Sequence, residues 1–321
     1  VSMRFPLTSF RSVLAMFLLA FAACAAAQTQ PVRPLLTPDE LAPLLRDPSV
    51  RVLDIRPAAE YAAGHIPGAA NIPYGVFRGP ADNPGALPSE QALTEALRRA
   101  GIDHDVHVIV AHAGKDATDF GAAARVYWTL KVGGLTRLSV LDGGTLGWKE
   151  QGGALETAAV QSRPSTFTFH YDRRYALSTE DLAAQVRSPH PPVLVDARPE
   201  PFFRGDERHG AAARYGTLPG ATSLSYAHFF NADGRTLKPV EELRTLVGRE
   251  VPPAGKPTVT FCNTGHWAAI DWFVLSELLG RENVLLYPES VVAWSRRDLP
   301  MDHEPSRLQA LAREAKRWFD Q

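Results

Sequence analysis

The sequence contains an internal repeat, and this feature restricts the possible folds more than any other. Asp54 recurs as Asp196, 142 positions later, and Trp148 recurs as Trp294, 146 positions later. The apolar segments around these landmarks recur at similar spacing. Self-similarity at a long, nearly constant period indicates two copies of one structural unit. A length of 321 residues also suits two domains.

Each copy alternates short segments rich in Val, Ile and Leu with longer helical segments. The predicted strands are 50–55, 106–111, 193–197 and 258–261. The predicted helices are 89–100, 121–132, 240–247 and 266–279. This alternation predicts the α/β class, with a doubly wound parallel sheet in each copy. In such sheets we expect functional residues at the carboxyl ends of the strands.

Composition suggests where the domains begin and end. A stretch rich in Gly, Ala, Gln and Pro begins at the end of the first copy, and we interpret residues 151–168 as a linker. The first domain then covers 35–150 and the second 169–305. Residues 306–321 are predicted to form a helical tail, and residues 1–27 a leader.

The leader has the order of a secretory signal peptide. The basic residues Arg4 and Arg11 precede an apolar run at 13–23, which ends in small residues. The run is too short for a permanent membrane span, and no later segment is long and apolar enough to form one. Cleavage after Ala27 predicts a periplasmic or secreted protein. The alternative is lipidation at Cys24.

Charge and cysteine content exclude several classes of function. Lys plus Arg number 34 and Asp plus Glu 35, a net charge of −1, so we expect no nucleic-acid partner. Two cysteines exclude a disulfide scaffold and a four-cysteine metal site. No motif indicates a cofactor or a metal. Removal of the leader would leave Cys262 as the only thiol.

Cys262 lies between the predicted strand 258–261 and the helix that follows. Backbone N–H groups and the positive end of the helix dipole converge at such a position. They favour the thiolate, which is the nucleophilic form of cysteine, and Gly265 suits a loop that curls around the sulfur. The alternative is that Cys262 is a small buried apolar residue at a strand end.

Several motifs resemble tandem-domain rhodaneses, which are sulfurtransferases of the thiosulfate or 3-mercaptopyruvate type. Asp54-Ile55-Arg56 and the segment 64–69 are similar to the family's first signature, and the segment 287–290 with Trp294 is similar to its Tyr-Asp-Gly-Ser region. The resemblance covers residues 35–305. It implies two tandem rhodanese-like domains, with Cys262 as the catalytic cysteine of the second. His112 stands at the matching position of the first.

The resemblance also implies a mechanism. The Cys262 thiolate would take a sulfur from a small anionic donor, form a persulfide, and pass that sulfur to a thiophile such as cyanide or a thiol, or to a protein acceptor. The predicted anion-binding loop is Asn263, Thr264, Gly265, His266, Trp267 and Ala268. A related phosphatase would need Arg at position 268 to clamp phosphate, and Ala268 disfavours that chemistry.

The sequence departs from the family at positions that usually supply positive charge. Phe202 stands where the second domain usually has an arginine, and the uncharged loop start Cys-Asn-Thr-Gly is closer to the mercaptopyruvate type than to the thiosulfate type. Our candidates for donor binding are Arg198, Arg204 and Arg78. Further candidates to replace the missing charge are Arg208, Arg214 and His266. A non-catalytic sulfane-sulfur carrier or redox sensor, and a rhodanese-like interaction module, stay open as alternatives.

Overall fold

The computed structural model describes residues 32–252 and 255–319, with side chains up to residue 315. The leader and Cys24 lie outside the described residues. Within the described residues, no helix is long and apolar enough to cross a membrane.

The first half is a parallel sheet with helices on its faces. Its strands are β1 (Leu35–Leu36), β2 (Val50–Asp54), β3 (Ala70–Asn71), β4 (His107–Ala111) and β5 (Leu138–Leu141), in the order β1-β5-β4-β2-β3. Its helices are α1 (Pro38–Leu44), α2 (Ala58–Ala63), α3 (Glu90–Arg99), α4 (Ala117–Val132) and α5 (Gly144–Glu150), with a 3₁₀ turn at Tyr74–Phe77. Every described strand pair in it is parallel.

The second half repeats this arrangement. Its strands are β6 (Val193–Asp196), β7 (Thr222–Ser223), β8 (Thr258–Phe261) and β9 (Val284–Leu286), in the parallel order β7-β6-β8-β9. Its helices are α6 (Thr179–Val186), α7 (Glu200–Phe203), α8 (Val240–Glu250), α9 (Ala268–Trp272), α10 (Ser290–Ser295) and α11 (Arg307–Phe319). A 3₁₀ turn covers Tyr226–Phe229, and a π-helix, Phe273–Leu278, continues α9.

Equivalent residues make equivalent contacts in the two halves. The indole N–H of Trp148 donates to the carbonyl of Ala154 at 2.8 Å, and that of Trp294 donates to the carbonyl of Pro300 at 2.9 Å. Each acceptor lies six residues beyond its tryptophan. These contacts and the two similar sheets confirm the predicted pair of parallel α/β domains.

Two predicted helix starts differ from the structure. The helix predicted from 121 begins at Ala117, because the Asp116 side chain caps it by accepting from the N–H groups of Thr118 and Asp119. The helix predicted from 266 begins at Ala268. The residues before it form the loop that surrounds Cys262.

The end of the segment predicted as a linker and the first residue of the predicted second domain pack onto the first half. Phe167 and Phe169 are almost fully buried, and Arg98 Nε donates to the carbonyl of Phe167 at 2.6 Å. Burial of two phenylalanine side chains contributes about 2–3 kcal/mol each before chain entropy is counted. The aromatic residues therefore anchor this segment.

One apolar cluster extends through both halves. It contains residues of α4 together with residues of α9 and the π-helix. Phe120 meets Phe273 with ring centroids 5.7 Å apart, and the Tyr127 hydroxyl donates to Glu277 at 2.7 Å. The described residues from 33 onward form one compact unit, and within it α4 lies directly against α9, the helix that follows Cys262.

Candidate active site around Cys262

Cys262 lies at the carboxyl end of β8 and is 1% exposed. Its backbone N–H donates to Ser290 Oγ at 3.1 Å, and that hydroxyl donates to the Tyr287 carbonyl at 2.8 Å. Ser290 has a φ of 53°, a conformation that costs a non-glycine residue roughly 1 kcal/mol. Ser290 lies in the segment 287–290, which is similar to the Tyr-Asp-Gly-Ser region of the family. It thus fixes the backbone of Cys262, a role that the sequence did not indicate.

The loop after Cys262 offers a set of free backbone donors. Among the hydrogen bonds of the described residues, none is donated by a backbone N–H from residue 263 to residue 268. Trp267, which precedes α9, provides no side-chain cap. The predicted anion-binding loop therefore keeps the backbone groups that it needs to bind an anion.

Gly265 is required by close contacts as well as by its backbone. Its φ is 68°, and a Cβ atom there would lie 2.4 Å from Arg125 Nη1 and 2.4 Å from the Pro288 carbonyl oxygen. Any side chain would displace one of these groups. The loop is therefore enclosed by the first half on one side and by the segment before Ser290 on the other.

Arg125 enters the site from α4 of the first half. The residue is fully buried, and its Nη1 donates to the carbonyl of Gly265 at 3.2 Å while its Nη2 donates to the carbonyl of Gly85 at 3.1 Å. The two ends of a trans peptide point in opposite directions. Holding the Gly265 carbonyl therefore turns the His266 N–H away from Arg125.

His266 is bound by two residues of the first half. The Tyr74 hydroxyl lies 2.7 Å from His266 Nδ1, and His266 Nε2 lies 2.9 Å from the Thr118 carbonyl oxygen. Since a carbonyl only accepts, Nε2 carries the proton and Nδ1 accepts from Tyr74. Desolvation, with Arg78 acting in the same direction, lowers the pKa of His266 to about 3. His266 is therefore neutral, and the prediction that it supplies positive charge is wrong.

Trp267 forms an aromatic wall with residues of the second half. It stacks on Tyr226 with ring centroids 4.9 Å apart and an interplanar angle of 15°, and it meets Phe202 edge-on at 6.1 Å. All three side chains are partly exposed. Tyr226 occupies the position in its 3₁₀ turn that Tyr74 occupies in the first half, so each tyrosine holds one of the two large loop residues.

Arg198 binds protein groups with each of its side-chain nitrogens. It pairs with Asp196 through Nε and Nη2, donates from Nη2 to the Gly216 carbonyl, and reaches Asn263 Oδ1 from Nη1 at 3.3 Å. Arg198 is 1% exposed. This arrangement favours a role in positioning Asn263 over direct contact with a donor. Arg56 makes the equivalent pair with Asp54.

The other candidate arginines of the second half are occupied by ion pairs. Arg204 pairs with Glu200 at 2.5 Å and its side chain is 67% exposed. The remaining pairs are Arg208 with Glu314 and Arg214 with Glu304. Each of these three arginines is therefore paired with a carboxylate of the second half.

Asp271, on α9, is a site residue that the sequence did not reveal. Its carboxyl group is fully buried, and neither oxygen has a hydrogen-bond partner in the described part of the chain. Burial raises the pKa of Asp271, and the negative charges of Cys262 and Asp196 raise it further. A neutral carboxylic acid at this position does not compete with a thiolate for the positive potential of the loop.

Comparison with known proteins identifies the family. Residues 37–151 and 178–297 each match the rhodanese-like domain. The chain belongs to the rhodanese family. It is a tandem-domain rhodanese of the sulfurtransferase class, as the resemblance implied.

Three relatives illustrate the relationship. The 3-mercaptopyruvate sulfurtransferase of Homo sapiens is 31% identical over 76% of this chain and 81% of its own length. The sulfur carrier protein TtuD of Thermus thermophilus is 30% identical over 78% of this chain and 89% of its own. The crystal structure of SseA from Escherichia coli, reported for the rhodanese fold and mechanism of 3-mercaptopyruvate sulfotransferases, has a TM-score of 0.69 and 25% identity over 81% of this chain and 99% of its own.

Proposed function

We propose that this tandem rhodanese transfers sulfane sulfur through a persulfide on Cys262. The observation that carries the proposal is the loop of free backbone N–H groups from residue 263 to residue 268, next to a buried cysteine at the end of β8. A persulfide is anionic, and backbone donors stabilise an anion without any change of protonation.

The donor is a small anion of the thiosulfate or 3-mercaptopyruvate class. With thiosulfate, the Cys262 thiolate attacks the outer sulfur, the donor S–S bond breaks, and sulfite leaves with the electron pair. With 3-mercaptopyruvate, the C–S bond breaks, and the proton of the donor thiol goes to the carbon of the pyruvate enolate. In either case the enzyme retains a persulfide, Cys–S–S⁻.

The acceptor is a thiophile such as cyanide or a thiol. It attacks the outer sulfur of the persulfide, and the electron pair of the broken S–S bond returns to Cys262 as a thiolate. The two half-reactions do not overlap in time, so we expect ping-pong kinetics.

Mass spectrometry of the intact protein tests this proposal. We expect a one-sulfur increase in mass after incubation with either donor and its loss after addition of cyanide. Cys262→Ser is the matched control and should show no increase. The absence of the adduct in the unmodified protein with both donors would contradict the proposal.

A sulfur carrier is the second candidate, because one relative at 30% identity is named a sulfur carrier protein. A carrier forms the same persulfide but releases its sulfur slowly to small thiophiles. Rapid loading combined with slow transfer to cyanide and to small thiols would favour the carrier. Turnover of both half-reactions at similar rates would favour the enzyme.

We also propose that the protein is exported. The order of basic, apolar and small residues in the leader supports this proposal. The mass of the mature N-terminus after expression in a Gram-negative host tests it. A start at Gln28 supports cleavage after Ala27, a lipid-modified Cys24 supports the lipoprotein alternative, and an intact leader in the cytoplasm would contradict export.

A further inference from the structure

A donor anion at Cys262 needs positive charge, and the second half supplies little of it. Arg198 has a protein partner for every side-chain nitrogen, and Arg204 is paired with Glu200. His266 is neutral, and Phe202 stands at the position where the family resemblance led us to expect an arginine. The positive charge must therefore come from elsewhere in the molecule.

The first half brings to the loop two arginines that make no ion pair with any described residue. Arg125 is fully buried, has no carboxylate within ion-pair distance in the described chain, and touches the loop at the Gly265 carbonyl. Its Nε is buried and has no hydrogen-bond partner in the described part of the chain. Burial of an unpaired guanidinium is costly, and this cost indicates that the charge has a use at this place.

Arg78 lies beside Tyr74, which contacts the same loop. Its guanidinium carbon is 5.4 Å from the centre of the Tyr74 ring, and the Tyr74 hydroxyl binds His266. Arg78 Nη1 is buried and has no hydrogen-bond partner among the described residues, and Arg78 makes no ion pair there. The residue as a whole is only partly buried, unlike Arg125.

The electrostatic effects of these groups overlap. Burial lowers the pKa of Arg125 to about 10, and the neighbouring charge of Arg78 acts in the same direction, whereas the negative charge of Cys262 opposes the change. Two cations that repel each other are stabilised by an anion bound close to them.

We propose that Arg78 binds the anionic end of the sulfur donor and that Arg125 supplies a fixed positive charge behind the loop. Both residues belong to the half that lacks the catalytic cysteine. This inference rests on the proposed persulfide chemistry, and it assigns recognition of the donor to the first half and formation of the persulfide to the second.

A pair of alkylating reagents tests the charge independently of sulfur transfer. Iodoacetate is anionic and iodoacetamide is neutral, and both react with the Cys262 thiolate. The rate constant for iodoacetate divided by that for iodoacetamide therefore reports the electrostatic potential at the sulfur. We expect Arg78→Gln to lower this ratio about tenfold and Arg78→Lys to preserve most of it. Arg98→Gln removes a first-half arginine that binds the carbonyls of Thr166 and Phe167, and it should leave the ratio unchanged.

Loading with thiosulfate provides the second measurement. We expect Arg78→Gln to lower the second-order rate of persulfide formation about tenfold, with no change in the rate at which cyanide removes the sulfur. Salt should slow loading in the unmodified protein and still slow it, less steeply, in Arg78→Gln, because Arg125 remains. Loss of all salt dependence in that variant would overturn the role of Arg125.

The outcomes separate this inference from the function on which it rests. If the unmodified protein forms no persulfide, the proposed function fails, while the alkylation ratio still reports the anion site. If the protein forms a persulfide but Arg78→Gln matches it in both the alkylation ratio and the loading rate, the persulfide chemistry stands and the role of Arg78 is overturned.

Discussion

The two halves of the molecule place a loop at the end of corresponding strands, but the helix N-terminus beside each loop binds different groups. In the first half, the N–H of Thr145 donates to the carbonyl of His112 at 2.8 Å, and in the second the N–H of Val291 donates to the carbonyl of Cys262 at 3.1 Å. The backbone framework is therefore shared. What differs is the occupant of the helix N-terminus beside each loop.

The first half fills its own helix N-terminus with carboxylates. Asp116 accepts from the N–H groups of Thr118 and Asp119, and the Asp119 side chain accepts from the N–H of Lys115 at 2.8 Å. The second half has no side-chain cap at Trp267. One half thus binds its own negative charge, while the other leaves the equivalent donors free for a bound anion. The first half therefore differs from the second in more than the absence of the cysteine.

The largest expected effect comes from moving the nucleophile. Cys262→Ser should lower sulfur transfer by about 10³-fold or more, because no other described residue supplies a thiol. His112→Cys should not restore it, since Asp116 still occupies the donors of that half. Persulfide mass spectrometry of both variants, and of the double variant, checks this. A persulfide at position 112 in the double variant would break the comparison.

The next effect comes from placing a carboxylate beside the open loop. Trp267→Asp and Trp267→Asn remove the same indole stacking and differ only by one negative charge. We expect loading by thiosulfate to be about 10-fold slower in the Asp variant than in the Asn variant, because the carboxylate repels the donor and the persulfide. Stopped-flow loading rates measure the difference. Equal rates would mean that negative charge does not distinguish the two loops.

A smaller effect is expected at Ser290. Ser290→Ala removes the acceptor of the Cys262 N–H and should slow loading up to about 10-fold, because a buried donor loses its partner. Ser290→Gly reproduces Gly144, the equivalent residue of the first half, whose φ is 59°. It should slow loading similarly while losing less stability, since glycine relieves the strained φ. Loading rates measure the first effect and urea unfolding measures the second. Equal unfolding midpoints for the Ala and Gly variants would contradict the predicted difference in stability.

The last prediction concerns stability and not rate, and is a pH dependence due to His112. Burial lowers the pKa of His112 from 6.5 to about 4. The unfolded chain therefore binds the proton first, and stability falls as the pH drops from 6.5 towards 4. His112→Gln should make this slope shallower by up to about 1.4 kcal/mol per pH unit. His107 and His266 contribute in the same direction in the unmodified protein and in the variant, and their contributions cancel in the comparison. An unchanged slope would therefore show that His112 is not held neutral by the fold.

Local patterns predicted much of the architecture and part of the site. The duplication, the parallel sheets and the position of Cys262 followed from spacing and strand patterns, because these features repeat along the chain. The fold could therefore be predicted almost entirely from the sequence.

Contacts between the halves could not be predicted in this way. The bonds from Arg125 to Gly265 and from Tyr74 to His266 join residues 140 and 192 positions apart, and no periodicity connects them. Arg125 did leave a signal, because it is a cation in the middle of the largely buried helix α4, where unpaired charge is rare. The error about His266 has the same origin, since its neutrality depends on the first half.

The packed segment between the halves determines how the molecule comes apart. Phe167 and Phe169 lie in the core of the first half but belong to the chain that leads into the second, and the apolar cluster crosses the boundary. Melting of either half would expose apolar surface of the other, so we expect the two halves to unfold together. The half with the cysteine should then depend on its partner half for its tolerance to heat and to proteases.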